Sequence, residues 1–333
     1  MGNAMRYCLL SVLSIILFSA CTQKAPLMVE KQALVYQSHN YILCRPQRDS
    51  SFRDLARIHL GDEAKAWKIE DANEFQSGDP RQFIAIPLKE KHRGGIYADG
   101  YQAVPILCYH KFGPKDNSPL NTTPELFRQQ MQYLKDNGYR VISPMDLLNF
   151  LQYRTQIPKR AVLITIDDGF RSAFEIAWPI LRQFDFPATL FVYTDYVGVS
   201  QKAITWEDLK ILKNNGFTIG SHSVAHSDLT KQAPDETHEA FVKRLKKEIF
   251  TSKQILDSQL NQDTFVFSFP YGRYNRKVME MAGQAGYELS VTVDRGGNPF
   301  FANPLALKRD MILKKDMKSF ISRLKTFNHL SLK

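Results

Sequence analysis

Cysteine is scarce in this chain of 333 residues, with four copies at positions 8, 21, 44 and 108. So few thiols, set so far apart, exclude the disulfide framework of a small secreted scaffold. Long hydrophobic runs are missing too. The apolar stretch from Cys8 to Phe18 covers about a dozen residues, whereas a membrane-spanning helix needs roughly 20, and no later segment resembles a span. Nor is there a block of like charge. The 44 Lys and Arg against 34 Asp and Glu give a net charge of +10, but the basic residues are scattered in short groups. Spread in this way they are solvated helix faces, and with no nucleic-acid motif among them no nucleic-acid partner is expected. A basic protein would still be drawn to anionic cell-surface polymers.

What is present begins at the amino end. Arg6, the apolar run and the small pair Ser19-Ala20 ahead of Cys21 form a secretory signal pattern, so residues 1–20 are a targeting device outside the fold. The cysteine at the cleavage point resembles a bacterial lipobox, with Phe18 where an aliphatic is usual. The resemblance implies that Cys21 carries a lipid, which anchors the chain to a membrane without spanning it. Thr22 in place of Asp favours the outer membrane, facing the periplasm, in a cell with two membranes. Removal of Cys8 and lipidation of Cys21 leave Cys44 and Cys108, expected as two buried thiols.

Residues 22–40 are a polar leader. Residues 41–88 then form a self-contained βααβ unit, with strands at 41–44 and 83–87 and helices at 51–60 and about 65–73; Ser51 caps the first helix and Gly61 ends it. Ser51-Phe52-Arg53-Asp54-Leu55-Ala56, Gly61-Asp62, Trp67-Lys68-Ile69, Asn73 and Ile84-Ala85-Ile86-Pro87 resemble a LysM module. The resemblance implies binding of N-acetylglucosamine chains, although Arg48-Asp49-Ser50 lacks the glycine of the usual opening. Residues 89–103, with Gly94, Gly95 and Gly100, are expected to be a linker.

From residue 104 to 333 the pattern alternates. Apolar strand-like runs lie at 104–109, 161–166, 188–193, 217–220, 264–269, 287–293 and 307–313, with helix-like stretches between them. Thr205 and Asp208 form a capping box, Asn215-Gly216 ends that helix, and the longest helix covers about 236–260. Unbroken apolar strands alternating with helices predict an α/β domain with a parallel sheet, and seven strands point to a barrel.

Three motifs carry chemistry. The strand 161–166 breaks into Asp167-Asp168-Gly169, and adjacent carboxylates at the end of a buried strand oppose each other's ionisation unless a cation is near. In parallel barrels that end of the strands is where sites form. His222 and His226 follow another strand; four residues apart, they face one way if the segment takes a helical turn, and with one carboxylate they make a three-ligand metal set. The Phe269-Pro270-Tyr271-Gly272 turn can aim a free backbone N–H at a ligand, as an oxyanion site requires.

Thr165-Ile166-Asp167-Asp168-Gly169, His222-Ser223-Val224-Ala225-His226 and Phe269-Pro270-Tyr271-Gly272 together resemble the first three motifs of the NodB-type polysaccharide deacetylases, carbohydrate esterase family 4, over residues 104–327. The resemblance implies a distorted (β/α) barrel, Asp167 as general base, Asp168, His222 and His226 as ligands to a divalent metal (zinc foremost), and the Tyr271 N–H as an oxyanion donor. The family's general acid, a His in a late Leu-x-His motif, is absent, since Leu313 is followed by Lys314-Lys315. His110, directly after the first strand, resembles the relocated acid of a rearranged branch that includes poly-N-acetylglucosamine deacetylases. Ser268 stands where many members have an Arg that orients the base; Arg309 is the candidate replacement, and Asp294 a candidate to tune a histidine.

The implied activity is removal of acetyl groups from N-acetylglucosamine units of peptidoglycan or poly-N-acetylglucosamine. Rival readings are an O-acetyl polysaccharide esterase, a non-catalytic glycan-binding lipoprotein, and a non-haem iron enzyme built on two His and a carboxylate. The last leaves Asp167 and the Pro-Tyr-Gly turn unexplained. Nothing in the sequence specifies an oligomeric state.

Overall fold

A computed structural model describes residues 33–46, 50–73, 83–115 and 118–330. The signal segment, Cys21 and most of the polar leader lie outside the described residues.

The amino-terminal unit holds strands β1 (Ala33–Gln37), β2 (Tyr41–Arg45) and β3 (Ile84–Pro87) in one antiparallel sheet of that order, with helices α1 (Phe52–Leu60) and α2 (Ala66–Ala72) between β2 and β3. Alternation drives the sheet: Ile42 and Cys44 point inward beside Ile84 and Ile86, onto Leu55, Ala56 and Ile69 of the helices. Ser51 Oγ accepts from the Asp54 N–H in a reciprocal capping box, and left-handed Gly61 (φ 71°) ends α1. Strand β1 falls within the leader expected from sequence. Its Leu34, Val35 and Tyr36 are all exposed, so it carries no alternation that would announce a strand.

Seven strands form the continuous path of the larger unit's main sheet: β4 (Ile106–Tyr109), β5 (Ala161–Ile166), β6 (Ala188–Val192), β7 (Phe217–Ser221), β8 (Val266–Ser268), β9 (Leu289–Val291) and β10 (Asp310–Met311), with the short Arg140–Val141 strand added beside the start of β5. All pair in parallel, in the order β9-β8-β7-β6-β5-β4-β10. The sheet curls until its two ends meet on one segment: Leu307 bridges Val291 of β9, while Asp310 and Met311 pair with Leu107 and Cys108 of β4. Every residue of β5 is buried, as expected where helices cover one face and barrel side chains the other. The expected run 104–109 is broken at Pro105, which lies between two strands and has no N–H for a ladder.

Two expectations change here. Residues 89–103 are not a free linker: Ile96–Tyr97 and Gly100–Val104 form a hairpin that pairs with Asn298–Pro299 and Phe327–His329. Left-handed Gly95 (φ 62°) lets the chain pass so near Gln102 and Phe150 that a Cβ would come within 2.7 Å of Gln102 Cβ. Secondly, the long helix of 236–260 starts at His238 on a Thr237 cap and contains a π-helical turn, Lys247–Thr251, between α-helical stretches His238–Lys246 and Ser252–Leu260.

The amino-terminal unit rests against the amino ends of the barrel strands. Asp71 of α2 accepts the Lys159 N–H at 2.9 Å through its carboxylate and the Lys159 Nζ at 3.1 Å through its carbonyl, and Glu70 pairs with Arg140. Lys159 lies just ahead of β5, so these contacts and Asp167 stand at opposite ends of that strand.

Candidate active site

Asp167 and Asp168 leave β5, His222 leaves β7, Tyr271 follows β8 and His110 follows β4, which gathers all five at the carboxyl ends of the strands. Asp168 Oδ1 lies 3.6 Å from both His222 Nε2 and His226 Nε2, and the two imidazole nitrogens are 3.1 Å apart. Bonds of about 2.0–2.2 Å at tetrahedral angles place ligand atoms roughly 3.3–3.6 Å from one another, so this triad could hold a metal ion. The donor chemistry agrees. His222 Nδ1 is 2.7 Å from the Ser268 carbonyl, which assigns its proton there and turns the Nε2 lone pair toward the triad. His226 Nε2 meets that lone pair at 3.1 Å, so the two nitrogens either share a proton or, with both turned as acceptors, converge on a cation.

The histidines do not converge through a helical turn. Residues 222–226 form an irregular loop in which Ser223 (φ 73°) and His226 (φ 57°) are left-handed, as are Asp168 (φ 77°) and Tyr271 (φ 60°). Each such residue costs of order 1–3 kcal/mol, and strain of this kind collects at functional sites. The loop is held by Glu248, a residue that pattern reasoning missed. Its carboxylate is buried, accepts the Val224 and Ala225 N–H groups at 2.9 Å each, and takes the Ser227 hydroxyl at 3.0 Å. Glu248 sits in the π-helical turn. In sequence Glu248 follows Lys246-Lys247 on a helix that looks wet on that side, which gives no signal of a buried role.

Asp167 is gripped by Arg309, which is fully buried inside the barrel. Guanidinium Nη1 and Nη2 donate to the two carboxylate oxygens at 2.7 Å each, Nη2 also reaches Ser268 Oγ at 2.9 Å, and Nε donates to the Thr292 carbonyl. Ser268 Oγ in turn donates to Asp167 at 3.1 Å. Burial opposes ionisation of Asp167, but the Arg309 charge, then His222, overcome it and hold the carboxyl well below the usual range. For Asp168 too, burial is outweighed by the His222 bond and charge, which lower its pKa. In the metal-free triad the two histidines diverge. Burial lowers His222, but Asp167 and Asp168 raise it overall; burial and then the His222 charge lower His226 to about 4.

His110 is depressed chiefly by burial, and its ring lies with Cys108 and Asp167 in a cluster whose ligand atoms all fall within 4.8 Å. Cys108 is a buried free thiol against Asp167, and Cys44 a second buried thiol in the small unit. At the Pro270–Gly272 turn, Gly272 N–H closes onto Phe269 O and Arg273 N–H onto Pro270 O, which leaves the Tyr271 N–H out of both bonds. Asp294 departs from expectation. Its carboxylate faces solvent and takes the Tyr274 hydroxyl at 3.2 Å rather than a histidine; only its backbone carbonyl serves the site, by accepting the Arg309 N–H.

Residues 154–290 match the family model for polysaccharide deacetylase. YxkH of Bacillus subtilis, a candidate polysaccharide deacetylase, is 30% identical over 193 residues, 58% of this chain and 65% of its own length. The chain thus spans just under two thirds of that relative. The poly-beta-1,6-N-acetyl-D-glucosamine N-deacetylase of Staphylococcus aureus is 24% identical over 65% of this chain and 76% of its own. Among solved structures, the Streptococcus pyogenes deacetylase PplD, in complex with acetate, is 31% identical and superposes with a TM-score of 0.61 over 68% of this chain and 99% of its own. A relative 31% identical and matched along nearly its whole length, together with the family model over residues 154–290, settles the affiliation: the chain belongs to the polysaccharide deacetylase family.

Proposed function

We propose that this protein hydrolyses the acetamide of N-acetylglucosamine units in a cell-envelope polysaccharide, peptidoglycan or poly-N-acetylglucosamine. The observation that carries the reading is the fixed Asp167 carboxylate, 3.8 Å from His222 and next to the Asp168-His222-His226 triad. A divalent ion in that triad, with zinc the best match to one carboxylate and two imidazoles, supplies Lewis acidity that makes water more acidic and the acetyl carbonyl more electrophilic.

In this reading Arg309 holds the Asp167 carboxylate in orientation, and Asp167 takes a proton from water as the water oxygen attacks the acetyl carbon. The Tyr271 N–H donates to the oxygen that gains charge as the carbonyl becomes tetrahedral. The carbon–nitrogen bond then breaks, His110 protonates the departing amine, and acetate leaves. The closeness of His110 to Asp167 supports a transfer in which the proton that Asp167 takes from water passes through His110 to the departing amine.

The name of the Staphylococcus aureus relative supports a poly-N-acetylglucosamine substrate. The LysM-like residues support a glycan-gripping role for the small unit, and the Cys21 motif supports a lipid anchor in the envelope. Acetate release by the zinc-loaded chain should be measured on peptidoglycan, poly-N-acetylglucosamine and an acetyl ester. Asp167→Asn is expected to keep its zinc and lose at least about a thousandfold in turnover; undiminished turnover in that variant would overturn the role of Asp167. Labelling of the cell-made protein with a radioactive fatty acid tests the anchor, and an unlabelled mature chain would leave plain secretion.

A further inference from the structure

An unbroken row of rings runs away from the metal-binding triad along one flank of the barrel mouth. The His226 ring lies 5.3 Å from that of Tyr193, Tyr193 stacks on Tyr196 at 5.0 Å and 19°, and Tyr196 meets Phe170 edge-on at 5.8 Å. The row ends where Lys111 Nζ lies over Phe170. Three strand ends contribute to it, since Phe170 follows β5, Tyr193 and Tyr196 follow β6, and His226 follows β7.

Core packing does not account for these rings. Phe170, Tyr193 and Tyr196 are half-buried at the rim and take no part in the hydrophobic clusters of the barrel. Neither tyrosine hydroxyl has a hydrogen-bond partner among the described residues, and neither is sealed from solvent. On the other side of His226 the Tyr271 ring lies 4.5 Å away, but the Arg273 guanidinium sits over that ring and pairs with Asp228 at 2.6 Å. A pyranose ring offers an apolar face of axial C–H groups and an edge of hydroxyls, and tyrosine matches both with its ring and its phenol.

We propose that Phe170, Tyr196 and Tyr193 form a stacking rail that carries consecutive sugar rings of an uncharged glycan to one side of the metal-binding triad. The site thereby reads a run of residues, not a lone acetylated sugar, and the chain lies asymmetrically across the mouth. This rests on the deacetylase reading above, and it deepens that reading by assigning the residues that select a polymer.

The test uses the full, zinc-loaded chain with β-linked N-acetylglucosamine oligomers of increasing length. For the wild type, kcat/KM should climb with length up to about five units. Phe170→Ala and Tyr196→Ala should each raise KM for the longest oligomer by about fivefold or more, with kcat changed less than about twofold, whereas Tyr196→Phe, which keeps the ring and loses only the phenol, should raise KM by less than Tyr196→Ala. Zinc affinity and melting temperature, equal to wild type in each variant, exclude a folding defect. In parallel, the longest oligomer is titrated into Asp167→Asn. If no substrate releases acetate yet the alanine variants weaken this binding, the deacetylase reading fails and the rail stands. If acetate is released with the same length dependence in wild type and both alanine variants, the rail is wrong.

Discussion

The pairing of Asp167 with Arg309 decides how the site behaves with pH. Both side chains are almost wholly inaccessible, and a buried carboxylate left without its cation is destabilising by roughly 3–5 kcal/mol. Arg309→Met should therefore lower the melting temperature and move the acid limb of the pH–rate profile upward, because burial alone raises a carboxyl pKa. The sign follows from linkage. A carboxyl depressed in the folded state adds stability above its unfolded pKa and loses it as pH falls through the folded value; without Arg309 that contribution vanishes. An acid limb that stayed in place would show that Asp167 does not set it. The contact joins residues 142 positions apart, and the sequence offered only the missing Arg at position 268 as a reason to look for one. Asp167, Asp168, His222 and His226 were legible because each interrupts or follows an apolar strand. Asp294 was misjudged because its proximity in sequence to a strand end says nothing of where the carboxylate points.

Among the elements, the most legible were those whose signals are local. Strand 161–166, the Ser51 cap, the Thr205 capping box and the glycine stops appear where the sequence places them. The exposed strand β1 and the hairpin at 96–104 were not, since pairing partners far along the chain create them. The π-helical turn was also silent, because it differs from its α-helical surroundings by one extra residue in a turn and by no composition. Yet it is this turn that holds Glu248 at the His222–His226 loop. Glu248→Gln keeps the volume and one acceptor oxygen but loses the charge that satisfies the paired N–H groups. Supporting groups of this kind typically govern 10–100-fold in metal affinity, so zinc should bind about tenfold or more weakly, by competition with a chromophoric chelator. Unchanged affinity would show that the loop keeps its shape without the carboxylate.

At the scale of the molecule, the small unit and the barrel are joined at their seam by Arg140 with Glu70 and by Lys159 with Asp71. Exposed pairs contribute little singly, but Asp71 is buried and its bonds to Lys159 are shielded. Calorimetry of the parent chain should give one unfolding transition, and the Arg140→Ala, Lys159→Ala double variant two, the smaller unit melting first. A single transition in the double variant would mean that the remaining contacts, the Lys159 N–H bond to Asp71 among them, suffice to couple the units.

The segment that brings the two ends of the sheet together also delivers Arg309. A chain in which Leu307 had not yet docked on Val291 would already possess Asp168, His222 and His226, all supplied by earlier strands, but its Asp167 would swing without a brace. Such a form could capture an ion and do nothing with it. Joining the two ends of the sheet and bracing Asp167 are thus a single structural event, because Leu307, Arg309 and Asp310 belong to one short stretch of chain.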